Sequence, residues 1–208
     1  MISRTNAVLL LVLLFTACVS DRTITAVNEF PSPLVEQYPF AIGLYLGADL
    51  TGHVHHEELP DGSNWTVELG KANSALFREM MTGLFASVKS VSSTTAPGSK
   101  AVIKPMVMDY QFSTPDQSKT EYFETWIKYQ IEVYSASGQL VTEWPFTAYG
   151  RSQAGFLATE AALRQATKRA MRDAATAMTL ELMQQPAVRA HFYGTAAAWS
   201  QRARNDQS

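Results

Sequence analysis

The residues best suited to chemistry lie together in one short run, His53-Val54-His55-His56-Glu57-Glu58. Imidazole and carboxylate are the groups that zinc, copper and nickel prefer as ligands. On an extended chain His53 and His55 would point to one face and share an ion, with His56 and Glu57 at hand to complete the set. Three of the four histidines of the chain fall in this run. The plainer reading is a solvated loop, because no distant His or Cys is evidently paired with it. Nucleophilic chemistry has less to work with. Gly150-Arg151-Ser152-Gln153-Ala154 is a degraded Gly-x-Ser-x-Gly elbow, without the parallel strand-turn-helix unit that exposes such a serine. Glycine-rich phosphate loops are absent. The expectation is a protein that is not an enzyme.

The other chemically distinctive residue is Cys18, the single cysteine. Ahead of it come one basic residue, Arg4, an apolar run over residues 7–15 and the small pair Thr16-Ala17. Residues 1–17 therefore have the form of a secretory signal, too short and too one-sided for a membrane span. The tetrad Phe15-Thr16-Ala17-Cys18 resembles the lipobox of bacterial lipoproteins, with phenylalanine where leucine is commonest. That resemblance implies cleavage before Cys18 and acylation of its thiol, so the lipid becomes the membrane anchor; no other cofactor is expected. A single acyl chain binds a membrane only marginally, whereas the several chains of a mature lipoprotein hold permanently. Val19 stands where inner-membrane lipoproteins carry aspartate, which favours the periplasmic face of the outer membrane. The alternative is an ordinary secreted protein with an incidental cysteine.

Composition sets the outer bounds. A chain that is 46% hydrophobic and 17% charged folds around a core. Losing Arg4 with the leader takes the formal charge from −2 to −3. There is no basic surplus to neutralise a phosphate backbone, so a nucleic-acid partner is not expected. With Cys18 acylated, no thiol remains for a disulfide or a metal site.

Residues 18–39 contain Pro31, Pro33 and Pro39 and no sustained period, and read as a tether from the lipidated cysteine. Extended at ~3.3 Å per residue, it would hold a domain several nanometres from the bilayer. The domain proper spans residues 40–192, followed by a polar tail over residues 193–208. Its first strand carries Phe40, Ile42, Leu44 and Leu46 on one face, with the small residues Ala41 and Gly43 opposite. A second short strand runs over residues 65–69. Asn73 or Ser74 caps the helix that follows, whose stripe is Leu76, Phe77, Met80, Leu84 and Val88. Residues 101–112 alternate as a strand, with Pro105 marking an edge or a bulge. Residues 121–135 and 140–150 pair across the hairpin loop Ala136-Ser137-Gly138. The strongest helix runs from Thr159 to about Gln184, rich in alanine and stopped by Pro186. The fold class predicted is an α+β two-layer sandwich: a mixed or mainly antiparallel sheet of about five strands with two helices packed on one face.

On this layout Phe123, Ile127 and Ile131 lie beneath the helices. Tyr122, Trp126 and Tyr134 lie on the opposite face with Tyr149 beside them, an aromatic surface suited to a partner. The lipobox, the leading strand, the helix Ser74-Ala-Leu-Phe-Arg-Glu-Met-Met81, the Lys104-Pro105 strand and the hairpin before an Ala-rich helix together resemble the small α/β lipoproteins of bacterial envelopes. Among these are the lipopolysaccharide-assembly and curli-secretion lipoproteins and domains similar to the N-terminal part of TolB. The resemblance implies an accessory or assembly role in an envelope complex, through contacts with an envelope protein. The alternative function is a periplasmic carrier or sensor of a small ligand or metal, using residues 53–58.

Overall fold

Two sheets pack against each other at one end of the domain, and two long helices extend the second layer over the rest of the larger one. This computed structural model describes residues 21–155 and 158–194. In chain order the elements are β1 (Asp21–Thr25), β2 (Tyr38–Leu44), α1 (Ala48–Thr51), β3 (Val54–Glu58), β4 (Asn64–Glu68), α2 (Gly70–Leu84), β5 (Phe85–Ser90), β6 (Ala101–Ser113), α3 (Pro115–Ser118), β7 (Tyr122–Ser135), β8 (Leu140–Gln153), α4 (Thr159–Glu181), a 3₁₀ turn (Leu182–Gln184) and α5 (Pro186–Tyr193).

The large sheet has the order β5-β2-β6-β7-β8, and the small one β1-β4-β3. β2 runs parallel to β5 and β6, whereas β6, β7 and β8 form an antiparallel meander, so the sheet is mixed. Alternation in β7 places Phe123, Thr125, Ile127, Tyr129, Ile131 and Val133 inward. Phe77 of α2 meets Tyr129 edge-on at 5.4 Å, and Tyr110 of β6 is hydrogen-bonded to Thr167 of α4 at 2.8 Å. Both helices therefore cover one face, as the predicted two-layer sandwich requires. Pro105 falls beyond Ile103, where β2 parts from β6, so it lies where β6 has a strand neighbour on one side only. A register shift between Val107 and Asp109 supplies the bulge as well. Val91, Ala96 and Val102 crowd Gly43, the close packing that small residues in this strand predict.

The small sheet is a finding of the structure. Asp21–Thr25, expected to be tether, pairs in parallel with β4 over five positions, and His53-Val54-His55-His56-Glu57-Glu58, read as a loop, supplies strand β3. Neither shows hydrophobic alternation, because only Ile24 of β1 is fully buried and the inward residues of β3 are His55 and Glu57. The remaining chain up to β2 also lies on the domain. Pro33 seats against Gly83, the Ser32 hydroxyl donates to Glu79, and Gln37 Nε2 donates to Thr82 O at 2.9 Å. The predicted helix cap is corrected too. α2 begins at Gly70 without a side-chain cap, and Asn73, inside its first turn, turns inward to accept from the Tyr129 hydroxyl at 2.8 Å. Val88 belongs to β5, which follows α2 with no intervening loop. Pro186 opens α5 as well as closing the preceding turn.

The Asn73–Tyr129 bond is fully buried, and burial pushes the Tyr129 phenol well up from its ordinary value. Asn73 Nδ2 already lacks a partner among the described residues. Tyr129→Phe should cost about 1–3 kcal/mol, because it strands the Asn73 carbonyl as well. Adding Asn73→Leu should recover a large part of that loss. Urea unfolding of the two single variants and the double variant measures the coupling, and strictly additive losses would count against it.

Candidate functional site

The outer face of β6, β7 and β8 is covered by no other element among the described residues, and register determines what stands on it. Gln111, Trp126 and Tyr149 form one row across the three strands, and Asp109, Lys128 and Thr147 the next. Trp126 and Tyr149 lie with ring centroids 5.5 Å apart, and Tyr149 is 38% exposed. Beside them Asp109, Gln111, Trp126, Lys128 and Thr147 line a shallow depression of about 330 Å³.

Polar groups fix the aromatics in place. The Tyr149 hydroxyl donates to Glu124 at 2.5 Å, and that bond raises its pKa above the usual phenol value. Arg151 stacks over Tyr122, 4.8 Å from the ring centre. The sequence grouping of Tyr122, Trp126, Tyr134 and Tyr149 thus divides. Trp126 and Tyr149 form the platform, Tyr122 flanks it, and Tyr134 stands eight residues further along β7, ~26 Å away at strand spacing. Sequence reasoning missed Asp109, Gln111, Lys128 and Thr147. Their alternation was visible, but the cross-strand register that gathers them was not.

Tyr134 belongs to a separate polar cluster. Its hydroxyl donates to Glu132 at 2.7 Å, and Lys104 Nζ meets the same carboxylate oxygen at 2.9 Å. Burial pushes Glu132 upward, but the bonds from Lys104 and Tyr134 outweigh it and hold the carboxyl below its ordinary 4.5. The bond to Glu132 in turn raises the Lys104 ammonium, against the effect of burial. A depressed carboxyl contributes stability that is present above pH 4.5 and lost as pH falls through the lower folded value. Glu132→Gln, at a side chain only 12% exposed, should therefore cost about 1–3 kcal/mol at neutral pH and flatten the decline of stability in acid. Urea midpoints measured at several pH values test this, and an unchanged acid slope would refute it.

The free edge of the meander is closed to added strands beside the platform. The Tyr149 backbone N–H donates to Asp173 Oδ2 at 3.0 Å, and Arg169 Nη1 donates to Arg151 O at 2.6 Å, both side chains coming from α4. Strand addition at Tyr149 and Arg151 would have to break these two bonds, which favours a partner that meets the surface face-on.

The histidine run does not converge. In β3 His55 and Glu57 point inward while His56 faces out to Thr66 Oγ1 at 3.1 Å, so the strand pleat separates His56 from the set. His55 Nε2 lies 3.1 Å from Glu57 Oε2, with its ring against Tyr110 and Phe112. Burial, and then His55, lower the pKa of His53. Among the described residues no three His, Cys, Asp or Glu side chains gather as metal ligands do. Ser152 sits inside β8, buried on the helix-facing side. Cys18 lies outside the described residues.

No family model matches the chain, and no curated protein does. Among solved structures it is similar to a protein of Xanthomonas campestris of the DUF330 family, at 14% identity over 77% of this chain and 92% of that one, TM-score 0.48. It is similar also to a hypothetical protein of Chlamydia trachomatis, at 7% identity over 76% and 100%, TM-score 0.43. A third is a minor lipoprotein of Acinetobacter baumannii, at 13% identity over 69% and 93%, TM-score 0.36. At this distance none carries an argument about function.

Proposed function

We propose that the chain is a periplasmic lipoprotein, anchored in the outer membrane through Cys18, that serves as an accessory or assembly module of an envelope complex. The observation that carries the docking role is the Trp126–Tyr149 platform on a sheet face that no described element covers. Paired aromatics ringed by Asp109, Gln111, Lys128 and Glu124 have the form of an interface hot spot: an apolar centre whose truncation costs most, inside a polar rim that keeps water out. The Phe15-Thr16-Ala17-Cys18 tetrad supports the anchor. The module works by binding and performs no chemistry of its own.

A photo-crosslinking amino acid placed at Lys128 or Thr147, both exposed on the platform face, tests the reading in living cells. The control position is Gln165, exposed on α4. A discrete adduct from the two face positions and none from the control is the expected result. Equal adducts from all three, or none, would overturn the docking face. Mass spectrometry of the mature N-terminus checks the anchor separately.

A further inference from the structure

We infer that the domain stands upright on the bilayer, with the end holding Asp21, Asp61 and Asp116 against the lipid surface, and does not swing on a tether; this rests on the proposed acylation of Cys18. Strand β1 begins at Asp21, three residues after the cysteine. Three peptide steps span at most ~11 Å however they run. The chain cannot lengthen that reach by releasing β1 cheaply. β1 pairs with β4 at five positions, buries Ile24 completely, and sends Arg22 to Glu160 Oε1 at 2.7 Å and Thr159 Oγ1 at 3.3 Å. Asn64 Nδ2 holds Asp21 itself at 3.0 Å.

One end of the molecule is therefore tied to the lipid. Arg22, Asp61, Ser63, Thr114, Asp116 and Thr159 line a single cavity of about 160 Å³ there, so the start of β1, the β3–β4 turn, α3 and the start of α4 share that end. β7 leaves it at Tyr122 and reaches the far hairpin at Ser135, thirteen residue steps or ~43 Å away. Asp21, Asp61, Asp116, Glu121 and Glu160 outnumber Arg22 and Lys119 at the tied end. A surface of that sign gains nothing from anionic lipid, so the acyl chains alone hold it within about a Debye length of the membrane. The outer face then rises from the lipid surface along β7, with Tyr122 lowest, the platform rows at Trp126 and Lys128 above it and the Tyr134 cluster highest.

The test uses the full acylated protein in phospholipid vesicles that carry nitroxide-headgroup lipid, a short-range quencher. Acylation consumes the native thiol, so a fluorophore can be placed on Asp116→Cys at the tied end or on Ser137→Cys in the far hairpin, both exposed sites. Severalfold stronger quenching at position 116 than at 137 is expected. Inserting about ten Gly and Ser residues between Ser20 and Asp21 should then abolish the difference. Equal quenching at the two sites in the unextended protein would overturn the upright pose. An unmodified Cys18, seen by mass and accompanied by failure to enter the vesicles, would instead overturn the lipoprotein reading and the pose with it.

Discussion

Gly150→Val should lower the unfolding free energy by about 3–4 kcal/mol, at the upper end of what overpacking costs. A Cβ at this position would fall inside the van der Waals envelope of Ala170 N and Ala166 O and within 2.8 Å of Arg169 C, all backbone atoms of α4. Backbone cannot rotate aside as a side chain can, so relief requires the helix to withdraw. Withdrawal is resisted by Arg22–Glu160 at its start and by the contacts of Arg169 and Asp173 with the edge of β8. The inward stripe Ala162, Ala166, Ala170 and Ala174 of α4 brings that helix this close to the strand. Urea unfolding measures the effect; a midpoint within error of the parent would mean that α4 is free to shift. The same valine at an exposed position of β8 such as Thr147 should cost little, because β-branched residues suit strands.

Trp126→Ala combined with Tyr149→Ala should act the opposite way, abolishing docking and sparing the fold. Truncation of paired aromatics at the centre of an interface commonly costs 2 kcal/mol or more, about thirtyfold in affinity, whereas a rim residue such as Lys128 should cost a few-fold at most. Both side chains stand on the outer face and touch no core residue across the sheet, so the urea midpoint should change by the equivalent of about 1 kcal/mol or less. The measurement is the yield of crosslinked adduct from position 147 in the double variant against the parent, with stability followed in parallel. Retention of full adduct yield in a folded double variant would show that the platform is not where the partner sits.

Four strands of the larger sheet and its two helices were legible because their signals are local, whereas β5 was read as the end of the α2 stripe. Alternation in β7, the hairpin over Ala136-Ser137-Gly138 and the alanine stripe of α4 each declare an element within its own span. The small sheet was not legible for the same reason in reverse. Asp21–Thr25 and Val54–Glu58 are charged and polar apart from Ile24 and Val54, and become strands only because β4, with Trp65 and Val67 buried, offers both of its edges. The aromatic face was readable as a list of residues from strand parity. Its geometry was not, because register alone makes Trp126 a neighbour of Tyr149 and leaves Tyr134 far along the sheet. The arrangement of the histidine run was hidden at the same level. Parity places His55 with Glu57 and sets His56 apart, a distinction that appears only once residues 53–58 are known to include a strand.

The parallel pairing of β1 with β4 joins residues 43 positions apart, whereas the ion pair between Arg22 and Glu160 joins residues 138 positions apart. Contacts so remote in sequence form late, since the entropy of closing the loop must be met before they add anything. The first strand can thus pair early, while the contact that locks it is among the last to form. Until α4 has emerged, Arg22 lacks its carboxylate, and β1 is held on β4 by its five-position ladder and the burial of Ile24.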